Sequence, residues 1–428
     1  MGRILILLTA LTVGAGMLFA GGQEEEDAGA QGPVTIDYSF WGNPVAIGVE
    51  QDIIDAYIES QDRVRVAPVV SGYSDYHTML LTQMAGGSGP DVMRIDSYYF
   101  EDFLALGALR AIDDLVERDD IDLSVYYQQG IEENTYQGVL YGLPWATSPL
   151  VMFINLDVFD QAGVDIPDFS WTMDDFVEIA RQLTDDDTYG YGLGLGTVSA
   201  VLPFVWAEGG DLFDESRDNF TLDESQAVTG LERLASMYAD GLIPEDSVTA
   251  QGDTITRWFV NNRIGMRMGA VSDILSTQAV EGVRFEVINM PTGGPDQKRT
   301  TVYKSNIVGI GSTTQNVEAA WDFLKFLRGP DGQGEELYMR AKRMSPSIAE
   351  QRYWDLYADP TKYPRSVEEN FKVIAEEYGR LLPLTGGWLE VENLVVPELQ
   401  GVLSGAVTAQ QAMDRIADDA QEALDRAQ

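Results

Sequence analysis

The chain has 428 residues, a formal charge of −41 at pH 7, no cysteine and one histidine. This length exceeds one ordinary hydrophobic core and predicts two lobes. The acidity excludes nucleic acid and anionic membrane surfaces as partners, because like charges repel. Without cysteine there is no disulfide or thiol chemistry, and one histidine cannot build a multi-histidine metal site. We therefore expect no cofactor, and we expect His77 to be a solvent-facing helix residue.

A secretory signal is predicted at the amino terminus. Arg3 precedes an apolar run over residues 4–18, and small residues follow from Ala20. The run is too short to span a membrane comfortably, and no cysteine is present to carry a lipid anchor. We expect residues 1–20 to be a cleaved signal peptide, residues 21–32 to be an acidic flexible leader, and the protein to be periplasmic or extracellular. An uncleaved anchor is the alternative, because Leu18 is a poor residue so close to the cut.

Strands and helices alternate at the start of the folded part. Residues 34–38 are predicted to be a buried strand, and Asn43-Pro44 to begin a helix with Asn43 as its cap. Residues 63–70 form a second predicted strand and residues 92–95 a third, after glycines that end the intervening helix. This alternation is typical of an α/β protein whose mostly parallel sheet is covered by helices on both faces.

The chain is predicted to cross between two lobes at three places. After Gly142-Leu143-Pro144 it enters an apolar run without the usual helix, and residues 302–311 are predicted to return. Met344-Ser345-Pro346 is the third predicted crossing. The predicted fold is α/β, with two lobes, each a mostly parallel sheet flanked by helices, joined by a multi-strand hinge. Residues 33–147 and 307–344 would form the N-terminal lobe, and residues 148–306 and 345–428 the C-terminal lobe.

Several short motifs occur in order along the chain. The first runs from Tyr76 through the glycine turn at 86–89 and Asp91 to Leu109. The others lie at residues 142–144 with 155–159, 162–163 with 171–176, 259–266, 316–324, and 404–405 with 408–413. From about residue 34 to the C-terminus, the chain resembles the family 1 extracellular solute-binding proteins. These maltose-binding-protein-like subunits capture ligands for sugar ABC importers.

The resemblance implies a monomer of the periplasmic binding protein fold that closes on a ligand and delivers it to an ABC permease. It also implies a carbohydrate ligand, most simply a small oligosaccharide, and no catalysis. Three positions depart from the family pattern. Gly21 replaces a lipid-bearing cysteine, Ile154 stands where a tyrosine is usual, and Gly269-Ala270-Val271 lies where many sugar binders carry a cleft tryptophan. Stacking on a sugar must then come from other aromatic residues.

A sugar site needs flat aromatic rings for CH faces and fixed polar groups for hydroxyls. Candidates are residues at strand ends and crossings, where both lobes can reach a ligand. They are Trp41, Asp96, Ser97, Tyr98, Trp145, Trp206, Lys304, Asn306, Arg343 and Trp388. Core packing is the alternative for Trp206, and Asp96 or Ser97 can instead cap a helix. If Lys304 and Arg343 converge on one cleft, an acidic sugar is indicated, because charge-assisted pairs are strong away from water.

Two other functions stay open. A secreted glycosidase needs only two carboxylates, which this acidic chain has in excess, although no acid pair stands out at a strand end beyond Asp96. A binder of a non-sugar ligand such as a polyamine would suit the negative charge, but no motif supports it.

Overall fold

The computed structural model describes residues 32–42, 44–245, 252–294, 296, 298–341, 346–357, 364 and 366–427. The predicted signal peptide, the leader up to residue 31, the helix cap Asn43 and the crossing residues Met344 and Ser345 lie outside these ranges. Among the described residues, no helix combines the length and the apolar character that a membrane span requires.

The strands are short, and the longer ones belong to two separate sheets. In chain order they are β1 (Val34–Trp41), β2 (Val64–Ser71), β3 (Val92–Ile95), β4 (Leu109–Arg110), β5 (Thr135–Tyr136), β6 (Val139–Leu140), β7 (Gly142–Thr147), β8 (Val151–Asn155), β9 (Tyr189–Gly192), β10 (Ile264–Gly269), β11 (Phe285–Ile288), β12 (Thr292–Gly293), β13 (Lys298–Arg299), β14 (Thr301–Tyr303), β15 (Ser305–Gly311) and β16 (Gly379–Leu381).

Helices connect the strands and make up most of the C-terminal part. They are α1 (Pro44–Ser60), α2 (Tyr73–Ala85), α3 (Phe100–Ala105), α4 (Asp113–Arg118), α5 (Gln128–Glu133), α6 (Leu156–Ala162), α7 (Met173–Leu183), α8 (Leu202–Ala207), α9 (Ser225–Ala239), α10 (Gly252–Val260), α11 (Val271–Gln278), α12 (Val317–Arg328), α13 (Gln333–Arg340), α14 (Gln351–Tyr357), α15 (Val367–Val373), α16 (Trp388–Leu403) and α17 (Ala409–Ala427).

The two larger sheets define the two lobes. In the first sheet the strand order is β2-β1-β3-β15-β4, and β7 also pairs with β15. In the second sheet the order is β11-β8-β10-β9. The chain leaves the first sheet along β7, enters the second at β8, and returns along β15. We call the elements around these sheets the first lobe and the second lobe. The predicted two-lobed α/β fold is confirmed.

The prediction that each sheet is mostly parallel is confirmed, because all strands but one point the same way in each of the two larger sheets. The pairs β1–β2, β1–β3 and β9–β10 are parallel, as alternating strands and helices require. The strand β15, however, runs antiparallel to β3, β4 and β7, and β8 runs antiparallel to β10 and β11. The physical reason is the direction from which the chain enters the sheet. The chain enters β15 from the second lobe, whereas it enters the parallel strands after a helix of their own lobe.

Local sequence signals explain where the helices begin. Thr172 caps α7 as predicted: its hydroxyl accepts from the Asp175 backbone N–H at 3.1 Å, and the Asp175 carboxylate accepts from the Thr172 N–H at 2.8 Å. Asn155 caps α6 through its side-chain oxygen, which accepts from the backbone N–H groups of Asp157 and Val158, and its amide nitrogen donates to the Phe259 carbonyl at 2.8 Å. These caps connect the strand ends to the helices that cover the second sheet.

The segment after the third predicted crossing contacts both lobes. The Trp354 indole N–H in α14 donates to the Tyr127 hydroxyl of the first lobe at 2.8 Å. Further along, the Asn370 amide in α15 donates to the Val287 carbonyl in β11 of the second sheet, also at 2.8 Å. The lobe boundaries given above stay predictions, and α14 lies against first-lobe elements.

A buried ion pair fastens α12 to α13 in the first lobe. The side chains of Arg328 and Glu335 are 0% exposed and form a salt bridge. Arg328 also donates through Nε to the Pro144 carbonyl in β7 at 3.1 Å. Glu335 accepts from the Ser347 backbone N–H at 2.8 Å. The pair therefore joins two helices, the strand that leaves the first sheet and the segment around Ser347.

Replacing Glu335 with glutamine should destabilise the protein strongly, because it leaves the Arg328 charge buried without its counter-ion. We expect the free energy of unfolding to fall by about 3–5 kcal/mol, measured by chemical denaturation followed by circular dichroism. The matched control is Glu336→Gln on the same helix, whose partly exposed pair with Arg340 contributes less than about 1 kcal/mol. Equal stabilities for the two variants would contradict the assigned role of the buried pair.

Candidate functional site

A cavity of about 400 Å³ lies between the two lobes, next to the carboxyl ends of β1 and β3. This volume is within the range of small-molecule sites. The first lobe contributes the end of β1, the residues after β3, and parts of β7 and β15, whereas Leu150, Ser199 and Ala270 approach from the second lobe. The cavity thus lies where predicted for an open α/β sheet, beyond its strand ends.

Two indole rings form the aromatic part of the cavity. Trp41 ends β1, Trp145 lies in β7, and their ring centroids are 6.4 Å apart with planes inclined by 44°. The Trp145 indole N–H donates to the Tyr338 hydroxyl at 3.3 Å. Both tryptophans are partly exposed, so their rings are available to a ligand in the cavity.

Arg94, in the middle of β3, lies beside both indoles. Its guanidinium carbon is 4.0 Å from the Trp41 ring centroid and 4.1 Å from the Trp145 ring centroid. Nη1 forms an ion pair with the Glu50 carboxylate at 3.0 Å, and Nη2 donates to the Trp41 carbonyl. The side chains of Arg94 and Glu50 are only 2% and 1% exposed. Burial raises the pKa of Glu50, although the neighbouring Arg94 charge acts to lower it.

A second ion pair lies at the same wall of the cavity. Lys304 Nζ is 2.6 Å from Asp96 Oδ1 and 4.0 Å from the Tyr98 ring centroid. Burial lowers the pKa of Lys304, but the Asp96 carboxylate and Tyr98 more than offset this, so that its pKa is raised and the amine is charged. Asp96 also caps the short 3-10 helix that follows, accepting from the Tyr98 N–H at 3.2 Å.

Tyr98 joins the two lobes across the cavity. Its hydroxyl donates to Ser199 Oγ of the second lobe at 3.1 Å. The Tyr98 ring also lies 6.0 Å from the Trp388 ring, centroid to centroid. Because Tyr98 follows β3 of the first lobe, these contacts hold the lobes together in the structure.

The structure brings six of the sequence-predicted residues into this one cavity. They are Trp41, Asp96, Tyr98, Trp145, Lys304 and Asn306. Ser97, Trp206 and Trp388 are buried and do not line it. Trp206 packs in the second-lobe core and donates to Asp211 Oδ1 at 2.7 Å. Arg343 lies outside the described residues. The ligand-contacting role of all ten stays a prediction.

Sequence reasoning missed other residues that line the cavity, and four of them bear on its chemistry. Glu50, Arg94, Ser199 and Tyr338 line the cavity but belong to no predicted strand end or crossing. A signal was available for Arg94, which interrupts the otherwise apolar β3 and is therefore a buried charge that needs a partner. Glu50 carries no such signal, because acidic residues on helices usually face solvent.

The prediction that His77 faces solvent is wrong. Its side chain is buried, its ring stacks on Tyr99 at 4.0 Å, and Nε2 accepts from the Asp96 backbone N–H at 3.1 Å. Burial lowers the pKa of His77 to about 4, so the ring is neutral at neutral pH. The missed signal is its position on the inner face of α2, beside the buried Tyr76.

The described part of the chain contains no group of three or more acidic or histidine side chains arranged to hold a metal ion. The two carboxylates lining the cavity, Glu50 and Asp96, each contact a cation. The site as described therefore has the chemistry of a pocket that recognises a ligand by ring stacking and by hydrogen bonds.

Known proteins resemble the chain in fold and in sequence. The solved structure of an ABC substrate-binding protein from Listeria monocytogenes in complex with cycloalternan aligns with a TM-score of 0.81 at 22% identity, covering 92% of this chain and 99% of that one. The sugar-binding protein MalE from Xanthomonas citri aligns with a TM-score of 0.76 at 18% identity, covering 92% and 98%. The galactooligosaccharide-binding protein of Bacillus subtilis is 20% identical over 382 residues, 86% of this chain and 85% of that protein.

These relatives are substrate-binding proteins rather than enzymes, and at such identities the structural likeness shows the fold. The sequence comparison goes further. The model of the family described as bacterial extracellular solute-binding protein matches residues 48–334, more than half of the chain. The resemblance read from the motifs is confirmed: the chain belongs to the bacterial extracellular solute-binding proteins.

Proposed function

We propose that this protein is the exported substrate-binding component of an ABC importer, which closes on a carbohydrate and delivers it to the permease as a monomer. The observation that carries the proposal is the cavity between two lobes, lined by two indole rings and by fixed polar groups. Relatives named for galactooligosaccharide and a structural neighbour holding cycloalternan support a small oligosaccharide as the ligand class.

The cavity has the two features that a sugar requires. The Trp41 and Trp145 rings offer flat apolar surfaces for the CH faces of a pyranose. Asn306 Oδ1 is buried and has no hydrogen-bond partner within the described structure, so it can accept from a sugar hydroxyl. Ala270 leaves space where the family often has a tryptophan, so stacking rests on the first-lobe indoles.

The charges of the cavity favour a neutral sugar over the acidic sugar considered from the sequence. Arg94 is paired with Glu50, and Lys304 is paired with Asp96. An anionic ligand would have to displace a buried carboxylate from its cation or approach it, and both cost free energy. Among the described residues lining the cavity, these are the only two with a positive charge.

The same pairing argues against the glycosidase alternative. Such an enzyme needs one carboxyl group to donate a proton and a second to attack or to activate water. In this cavity Glu50 is 1% exposed and Asp96 is 6% exposed, and each is held by a cation. Neither carboxylate is placed to approach a glycosidic bond, which supports binding without cleavage.

Isothermal titration calorimetry with a sugar panel tests the proposal. We expect maltotriose, galactotriose or arabinotriose to bind, digalacturonic acid to bind much more weakly, and the recovered sugar to be uncleaved by chromatography. Trp145→Ala should weaken binding at least about tenfold, because it removes one stacking surface. The control is Trp258→Ala, a partly exposed tryptophan on α10 outside the cavity, which should bind as the wild type does. Tight binding of a polyamine and of no sugar would overturn the substrate class.

The hydroxyl of Tyr98 should bias the protein towards the closed state. Tyr98→Phe removes the hydrogen bond to Ser199 between the lobes, which contributes on the order of 1 kcal/mol. We therefore expect about fivefold weaker sugar binding and a larger radius of gyration by small-angle X-ray scattering. Tyr99→Phe, on the neighbouring ring that stacks on His77, serves as the control. An unchanged affinity and scattering curve for Tyr98→Phe would remove this contact from the closure mechanism.

Export is proposed from the sequence of the first twenty residues. A signal peptidase should cut after Ala20 or close to it, releasing a protein without a lipid, since the chain has no cysteine. Intact-mass and N-terminal analysis of protein secreted by a bacterial host should then give a chain that begins near Gly21. Recovery of the full-length chain in the membrane fraction would instead indicate an uncleaved anchor.

A further inference from the structure

We propose that Arg94 is a positioning residue, which holds the two cavity indoles, Trp41 and Trp145, in the arrangement that receives a sugar ring. This role rests on the proposed carbohydrate-binding function. Arg94 would affect ligand binding through the two indoles that it holds.

The guanidinium of Arg94 lies against both indole rings. Its central carbon lies 4.0 Å from one ring centroid and 4.1 Å from the other, while the rings are 6.4 Å apart and inclined by 44°. One planar cation thus contacts the rings of Trp41 and Trp145 simultaneously. Attraction between a cation and an aromatic ring is strongest where water is excluded, as it is at this buried side chain.

Arg94 is itself held by an ion pair and a hydrogen bond. Nη1 is paired with Glu50 Oε1 at 3.0 Å, and Nη2 donates to the backbone carbonyl of Trp41. The other Glu50 oxygen, Oε2, accepts from the Tyr38 hydroxyl at 3.4 Å. Both nitrogens at the end of the guanidinium are therefore engaged, and its plane is fixed relative to β1 and to α1.

Arg94 is less exposed than the two rings that it contacts. Arg94 is only 2% exposed, whereas Trp41 and Trp145 are both partly exposed in the cavity. The indoles come from β1 and β7, which are not neighbours in the sheet, and Arg94 on β3 contacts both. A ring pair fixed before the ligand arrives costs less entropy on binding, so the affinity depends on Arg94 indirectly.

Arg94→Lys tests this role. Lysine keeps a positive charge opposite Glu50 but lacks the planar group that stacks on two rings. We expect the Kd to rise about tenfold, measured with whichever of maltotriose, galactotriose and arabinotriose the wild type binds most tightly. The near-ultraviolet circular dichroism of the indoles should change, while the far-ultraviolet spectrum should not.

The matched control is Phe176→Leu, which removes buried volume from the core of the second lobe at a residue that does not line the cavity. This control should lower the melting temperature and leave the sugar Kd unchanged. Weaker sugar binding by Arg94→Lys would then not be explained by a general loss of stability. If Arg94→Lys does not fold, Glu50→Gln leaves the guanidinium in place with a weaker anchor, and about threefold weaker binding is expected.

A folded Arg94→Lys or Glu50→Gln variant with wild-type affinity would overturn the role of Arg94, as would equal weakening by Phe176→Leu. Failure of the wild type to bind any sugar of the panel would instead overturn the proposed function. The near-ultraviolet spectra remain informative in that case, because an unchanged indole signal in Arg94→Lys would show that the rings do not depend on the guanidinium.

Discussion

The cavity depends on the pairing of β7 with β15, the strands along which the chain leaves the first sheet and returns to it. Thr147 lies opposite Ser305 and Ala146 opposite Asn306, with a register shift before Ile307. Pairing of the two strands brings Trp145 and Asn306, distant in sequence, into the same wall. At Gly142 a Cβ atom would lie 2.5 Å from the Val308 carbonyl oxygen, so the close approach of the strands requires glycine there.

Charge is organised differently inside the cavity and over the whole chain. The formal charge of −41 comes from many carboxylates, most of which are hydrated at the surface. In the cavity, by contrast, two cations and two carboxylates are paired one to one, and their side chains are between 1% and 18% exposed. Screening by salt reaches such buried pairs poorly, so the arrangement of Arg94 and Lys304 does not depend on the ionic medium.

Several of the predicted site residues have a structural role besides the ligand contact that was predicted for them. Asp96 was predicted either to cap a helix or to contact a ligand; its carboxylate caps the 3-10 helix and also pairs with Lys304 at the cavity wall. Trp388 was predicted to be an aromatic residue of the cleft. It is buried, and its ring packs against the Tyr98 ring. Strand-end position alone cannot separate these roles, because it specifies where a side chain starts and not which neighbours surround it.

The sequence by itself determined the family, the two-lobed α/β class and the caps such as Thr172, because apolar periodicity, glycine turns and capping residues act over a few neighbouring positions. It also located six of the residues that line the cavity, since strand ends meet at one edge of a sheet. Only the tertiary structure decided that β15 runs antiparallel, that His77 is buried, and that Arg94 and Glu50 lie beside the indoles. These features arise from contacts between segments far apart in the chain, where burial and ion pairing override what local sequence indicates.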